Sequence, residues 1–543
     1  MNEYGLWLLG LAVIYTSVLI GAGHVAKRKA ARGDGFFVGA RQFSPLVVAL
    51  CITGLFSGST YISILELAYL KGVSAVWYGV AETVQVLIIA FILIGPFRER
   101  MLVTISGLIG DRYGRWAKGV GGAITAFAFP MWSVATTIAF ASAIHVFTDI
   151  PLTLSVAISA LLLFIYLQAG GMWSVAFTQS VNAVVFALMF IVGLFAFFIH
   201  PGLDGIVQLA KAQPEMFTWD NAGLQVIVAW FGTFLVNVLL AQAAFQMALS
   251  CRSVEEGQKG LKMAAVLGIP FIILGVLFGM AAAVVVPEAG MGLIALPQYL
   301  MQVLPAPLVG LFFLGIWACA LSWGAPCQFS GATSLGRDVG SAINPPATND
   351  QLIRYTKWSL LLLTGLMVVF GTLRTEQSAW WNILAWTVRN SATFAPVLGT
   401  LFWPLVTKRS VMISMVGGFA AGLLWYHLGG WSPDYFFLNT HPVWVGMGTN
   451  LALMILTTLW ERRGEWKLSV PHTRLAWWAV FVMMTLAIVN IFAFESLYTL
   501  GLLGLTSFSM LVALFIALIQ WTNTSTSIWD KWEQQETAAS ASK

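Results

Sequence analysis

Long apolar runs constrain this chain more than any other feature. Fifteen of them lie near residues 4–25, 46–70, 76–97, 117–146, 151–168, 177–200, 224–248, 262–287, 304–336, 355–373, 379–405, 410–429, 443–460, 475–495 and 498–521. A helix needs roughly 18–20 apolar residues to cross a bilayer, and these runs match that length. A soluble core has no room for them. The chain is 59% hydrophobic and 9% charged, whereas soluble domains carry about 25% charged residues. A β-barrel would show alternating segments of about ten residues, and none occurs. The expected fold class is therefore an all-α polytopic membrane protein with about fifteen transmembrane helices.

Charge then orients the chain. Loops alternate between rich and poor in basic residues, the poor ones keeping little beyond Lys71, Lys211 and Arg374. Lys27, Arg28, Lys29, Arg32 and Arg41 fall on one side with Arg98, Arg100, Arg112, Arg115 and Lys118. The same side takes Arg252, Lys259 and Lys262, then Arg337, Arg354 and Lys357, and finally Lys408, Arg409, Arg462, Arg463, Lys467 and Arg474. Basic loops stay in the cytoplasm, so the N-terminus is expected outside and the C-terminus inside. The first apolar run ends in Lys27-Arg28-Lys29 rather than beginning with basic residues, so it is expected to remain as a span and not to be cleaved as a signal. The net charge of +5 belongs to these loops and does not indicate nucleic acid. Cys51, Cys251, Cys319 and Cys327 have no metal-ligand or disulfide spacing. No P-loop occurs, so uphill work would draw on an ion gradient. The segment after Trp521 is polar and reads as a disordered tail.

The run from Val47 to Leu70 is interrupted by Thr53-Gly-Leu-Phe-Ser-Gly-Ser59. Gly54 and Gly58 weaken a helix, and Thr53, Ser57, Ser59 and Thr60 bring hydroxyls to mid-membrane. Irregular backbone is tolerated there only in a protein interior or beside a cavity, where its oxygens suit a small cation. Close packing of small residues between helices is the alternative. A second polar interruption runs from Trp317 to Asp338 and includes Ser322, Gly324, Pro326, Gln328, Ser330, Gly331 and Thr333. Two interrupted spans are the pattern of a secondary transporter.

Five motifs, in order, carry a resemblance. They are DGFFVGARQFSP (34–45), TISGLIGDRYGRWAK (104–118), YLQAGGMWSVAFTQSVN (166–182), QAAFQMALSCRSVEEGQKG (242–260) and FAPVLGTLFWPLVTKRSVMISMVGG (394–418). Over roughly residues 1–465 the chain resembles the sodium/solute symporter family, which includes bacterial proline and galactose transporters. The resemblance implies a LeuT-like fold. An extra N-terminal helix and loop would occupy 1–45. Two inverted five-helix repeats would follow over 46–200 and 224–405, separated by an outer loop over 201–223. Further helices would fill 406–521 and a tail 522–543. It also implies a transported Na+ bound by the Thr53, Phe56 and Cys319 carbonyls and the Ser322 hydroxyl. Two positions depart from the family pattern. Trp323 stands where a second hydroxyl is usual, and Gln179 and Asn182 replace an acid and a glutamine. Proton coupling therefore stays open beside sodium.

Charges inside the spans point to a solute. Arg389 is costly in a membrane and suits a carboxylate, with Asn390 beside it. Glu82 is the acidic counterpart, able to meet solute, pair with Arg389 or carry a proton. Glu66 lies nearer the outer end and is expected to be wetted. Ser57, Thr60 and Asn237 complete the candidate solute contacts, while Gln242 and Gln246 read as structural. The expected function is cation-coupled symport of a small organic solute, a carboxylate or amino acid, by alternating access. A membrane solute sensor with a separate partner is the rival, disfavoured by the short tail. Paired acids, His clusters and nucleophile motifs are absent from the sequence, so no enzyme is expected. The partners are the solute, the cation and the bilayer; nothing in the sequence sets an oligomeric state.

Overall fold

The computed structural model describes residues 2–27, 42–95, 104–168, 171–466 and 473–522, and these are almost wholly helical. The loop residues Arg28, Lys29, Arg32, Arg41, Arg98, Arg100 and Lys467, most of the 34–45 motif, the side chain of Gln246 and the tail from Asn523 lie outside the described residues.

Sixteen of the helices, in chain order, begin with α1 (Glu3–Lys27), α2 (Pro45–Gly54), α3 (Tyr61–Lys71), α4 (Val76–Ile88), α5 (Arg115–Thr148), α6 (Leu152–Leu167), α7 (Gly171–Ile199) and α8 (Leu224–Asn237). There follow α9 (Val254–Val285), α10 (Ala306–Thr333), α11 (Asn349–Leu373), α12 (Ser378–Phe402), α13 (Lys408–Leu428), α14 (Pro442–Glu461), α15 (Arg474–Phe492) and α16 (Leu503–Trp521). Among the described residues, eleven stretches are long and apolar enough to cross a membrane, against the fifteen expected. The shortfall has physical reasons. The stretch Pro45–Leu93 is continuous in helix, yet it holds two runs, because Gly72 turns the chain at φ +64° between α3 and α4. A Cβ at Gly72 would collide with the Met216 carbonyl, so only glycine fits. Helices α6 and α8 are apolar but short. Helix α12 carries Asn382, Arg389 and Asn390 and is not among the eleven.

The chain forms two compact units. The first comprises Met1–Thr104, Thr125–Gly223 and Ala241–Ala385; the second comprises Ile105–Ile124, Leu224–Leu240 and Trp386–Lys543. In the first unit, α10 is buried along nearly its whole length and packs against α1, α7 and the segment after α2. Its hydroxyls and amides must therefore find partners inside the protein. In the second unit, α13 and α14 form an antiparallel pair, and α16 packs against α14.

Both expected interruptions take a different form. Residues 47–70 do not unwind: α2 passes into a π-helical segment, Leu55–Thr60, and then into α3. A π turn admits an extra residue while keeping the backbone hydrogen-bonded, which is the cheaper solution in lipid. The polar segment 317–338 is likewise helical, with Pro326 inside α10 and a second π-helical segment at Ser334–Val339. The open break lies elsewhere, in the run expected to be continuous over 224–248. Helix α8 stops at Asn237, and helix resumes only at Gln242. Neither glycine nor proline marks that break.

Candidate functional site

The π segment and α10 meet in the first unit through two glycines one helical turn apart. A Cβ at Gly54 would fall 2.5 Å from the Ser322 carbonyl oxygen. One at Gly58 would fall 2.9 Å from the Cys319 carbonyl oxygen and would strike Trp323. Gly54 and Gly58 thus serve close packing as well as the change of helix type. Thr53, Phe56, Cys319 and Ser322 are all buried, and the geometry brings the helix that carries the first two against the carbonyls of the last two.

Several of these oxygens already have partners. The Thr53 hydroxyl donates to the Ala49 carbonyl at 2.8 Å, and the Ser57 hydroxyl donates to the Gly54 carbonyl at 3.2 Å. The Phe56 carbonyl accepts the Tyr61 N–H; a carbonyl oxygen retains a second lone pair. By contrast, the Ser59 and Thr60 hydroxyls are buried without a hydrogen-bond partner.

Ser322 is held by a polar network that follows from one residue four places on. Pro326 has no N–H, so the Ser322 carbonyl loses its helical donor. The Gln179 side chain of α7 supplies a replacement, its Nε2 donating to that carbonyl at 2.6 Å. The Ser322 hydroxyl donates to the Gln179 Oε1. Asn182, one turn further along α7, donates to the Ser322 hydroxyl at 3.2 Å and to the Ala318 carbonyl at 3.2 Å. Tyr15 of α1 donates to the Asn182 Oδ1 at 2.5 Å, and Trp317 donates to the Thr16 hydroxyl at 2.8 Å. The N-terminal helix therefore reaches the centre of this unit. Sequence reasoning missed Tyr15 and Thr16, whose signal was their position as polar residues within an apolar run.

Glu66 is not wetted, as its place in the sequence suggested. It is 1% exposed, and its two oxygens accept the backbone N–H groups of Gln377, at 2.9 Å, and of Ser378. It thus caps the N-terminus of α12, satisfying donors that a helix start leaves open. Gln242 is structural as expected, its Nε2 donating to the Ser330 carbonyl at 3.2 Å and the Ser334 hydroxyl at 2.8 Å.

In the second unit, Arg389 is 4% exposed, and its Nη2 donates to the Asn237 Oδ1 at the last residue of α8. Asn390 donates to the Thr233 carbonyl at 3.5 Å, while its own Oδ1 is buried without a hydrogen-bond partner. Phe234 and Trp386 stack edge to face beside them, 4.4 Å between ring centroids. Three of the expected solute residues, Asn237, Arg389 and Asn390, are thus brought together at the point where α8 breaks. Among the described residues, no cluster of His, Cys, Asp or Glu is arranged to hold a resident metal.

These features define an integral multi-pass membrane protein whose polar residues converge on π-helical and broken segments. One solved structure, a Na+-coupled sialic acid symporter in a substrate-bound outward-open state, aligns with a TM-score of 0.68 and 16% identity over 84% of this chain and 98% of its own. That likeness gives the LeuT-like fold. The sodium:solute symporter family model matches residues 36–418, and the chain belongs to that family. Similar curated proteins include the human high affinity choline transporter 1, 24% identical over 74% of this chain and 71% of its own length. Another is the sodium/glucose cotransporter of Vibrio parahaemolyticus, 23% identical over 76% of this chain and 84% of its own.

Proposed function

We propose that the chain is a sodium-coupled symporter that imports a small organic solute bearing a carboxylate or an amino acid. The repeats run over 46–200 and 224–405. One observation supports this reading most: the opening helix of each repeat departs from α-helical geometry in mid-run, at Leu55–Thr60 and at 238–241. Interrupted helices in corresponding positions of two halves are where transporters bind ions and solutes.

Sodium would lie between the π segment and α10, using the Thr53, Phe56 and Cys319 carbonyls and the Ser322 hydroxyl. Such oxygens are hard ligands suited to a hard cation. Sodium coupling is also a property of the sialic acid symporter and in the name of the Vibrio relative. Within the second unit, the solute contacts would be Asn237, Arg389 and Asn390. For Arg389, the planar guanidinium fork suits a carboxylate, the Asn237 bond holding its orientation. A specific observation favours a second reading, coupling to protons. The Ser322 hydroxyl is held by neutral amides, Gln179 and Asn182, with no acid among those partners.

Uptake into proteoliposomes tests both readings. Accumulation of labelled amino and organic acids that collapses when the sodium gradient is dissipated supports sodium symport. Accumulation that needs only an acidic outer medium supports protons, and binding without flux contradicts transport. Arg389→Lys keeps the charge but loses the fork; it is expected to raise the half-saturating solute concentration about tenfold, a 1.4 kcal/mol effect, and an unchanged value would give Arg389 a structural role.

A further inference from the structure

Two glutamates of the first unit are fully buried, and the fold treats them differently. Glu66 receives two backbone N–H groups. Glu82, in the middle of α4, is 0% exposed, and neither of its carboxylate oxygens has a hydrogen-bond partner. An ionised carboxylate in that position is several kcal/mol unfavourable unless a cation faces it.

Its surroundings hold other unpartnered polar atoms. Tyr78, one turn earlier on α4, lies close to the Glu82 carboxylate and to Ser59, Ser63 and Asn382. Asn382 spends its amide hydrogens on the Ser63 hydroxyl, at 2.8 Å, and the Ser59 carbonyl, at 3.5 Å, and its Oδ1 is left buried with no partner. The Ser59 hydroxyl and the Gln85 Oε1, one turn after Glu82, are buried and unpartnered too. The cluster holds a carboxylate and two amide oxygens without partners, and the hydroxyls around them, which donate as well as accept, carry no charge to balance the carboxylate. Its chemical complement is a positively charged group that carries several N–H donors.

Deepening the proposed symport, on which it rests, we infer that the Glu82 cluster receives the protonated amine of the transported solute. Glu82 supplies the counter-charge. Asn382 Oδ1 and the Ser59 and Tyr78 hydroxyls take the remaining N–H groups. An amine with three N–H donors fits this set better than a bare carboxylic acid or a sugar, which would leave the carboxylate uncompensated.

The test uses the purified full-length protein in detergent, with thermal unfolding as the readout. The probes are L-alanine, L-lysine, glycine and ethanolamine, each beside a counterpart without the amine (propionate, hexanoate, acetate and ethanol), plus sodium chloride alone. At least one amine is expected to raise the unfolding midpoint while its counterpart does not. Glu82→Gln should weaken that amine response by at least about thirtyfold, as when one partner of a buried charge pair is removed, while the sodium-only shift persists. Glu82→Asp, which keeps the charge, should retain part of the amine response.

A full amine response in Glu82→Gln overturns the inference, as does a panel in which no amine is preferred. Loss of the sodium-only shift in Glu82→Gln would make Glu82 a sodium ligand and also overturn it. Should the variant fail to fold, carbodiimide labelling of wild-type Glu82, read by peptide mass spectrometry, decides: protection by the amine but not by its counterpart is expected, and equal labelling contradicts. Failure of the broader reading looks different, because wild-type protein would then show no sodium shift at all while the amine preference stood.

Discussion

Helices α10 and α12 carry the same defect and mend it to different ends. Each has a buried proline, Pro326 or Pro396, that strips the helical donor from the carbonyl four residues earlier. In each case an amide side chain from another helix restores it. Gln179 donates to the Ser322 carbonyl at 2.6 Å, and Asn450 donates to the Ala392 carbonyl at 3.2 Å. The Asn450 repair is closed, because its Oδ1 accepts the Ala395 N–H at 2.7 Å and its Nδ2 also reaches the Ser414 carbonyl at 2.8 Å. The ends of that amide meet main chain only. The Gln179 repair instead meets a hydroxyl, and it lies where the π segment brings its own buried oxygens. One lock joins backbone to backbone; the other joins the Ser322 carbonyl to a side chain that also holds the Ser322 hydroxyl. The difference teaches that a proline in a membrane helix is worth following to the group that answers it, because only one of these two repairs also holds a side-chain hydroxyl.

That contrast can be broken by substitution. The largest effect is expected from Asn450→Ala, which strands the Ala392 carbonyl and removes the partner of the Ala395 N–H and a second donor from the Ser414 carbonyl. Each buried unsatisfied group costs about 1–3 kcal/mol, so this variant should lose much of its folded yield on size exclusion, whatever the sodium concentration. Normal yield would make the Asn450 lock dispensable. Gln179→Leu should be milder, about 1–3 kcal/mol for the stranded Ser322 carbonyl, seen as a lower unfolding midpoint. Its sodium response should change as well, which Asn450 variants that fold should not show. Smallest is Pro326→Ala, which returns an N–H to the Ser322 carbonyl. It should change stability by under about 1 kcal/mol yet reduce the penalty of Gln179→Leu in a double-mutant cycle; strict additivity would mean that the proline and the amide are unrelated.

Much of this architecture could be read in the sequence because lipid forces backbone bonds inward and leaves long apolar runs as the trace. The polar residues of the 47–60 stretch, the Trp317–Asp338 segment and Arg389 also stood out against apolar neighbours. What sequence could not supply was how each irregularity is resolved. Gly54 and Gly58 suggested unwinding, but the same glycines allow a π turn pressed against Ser322 and Trp323. The break after Asn237 falls in Val-Leu-Leu-Ala, residues with no local preference for it. The capping role of Glu66 depends on Gln377 and Ser378, some 310 residues away, a distance that no local pattern encodes. Pro326 did carry a usable signal, since a proline names the carbonyl it orphans.

The central claim is that Ser322 belongs to the cation site. Sodium titration of thermal unfolding, wild type beside Ser322→Ala, tests it most directly. The account predicts that wild-type protein is stabilised as sodium rises and that Ser322→Ala needs about tenfold more sodium for the same shift, the loss of one ligand at about 1.4 kcal/mol. Superimposable titrations would remove Ser322 from the site and contradict the account.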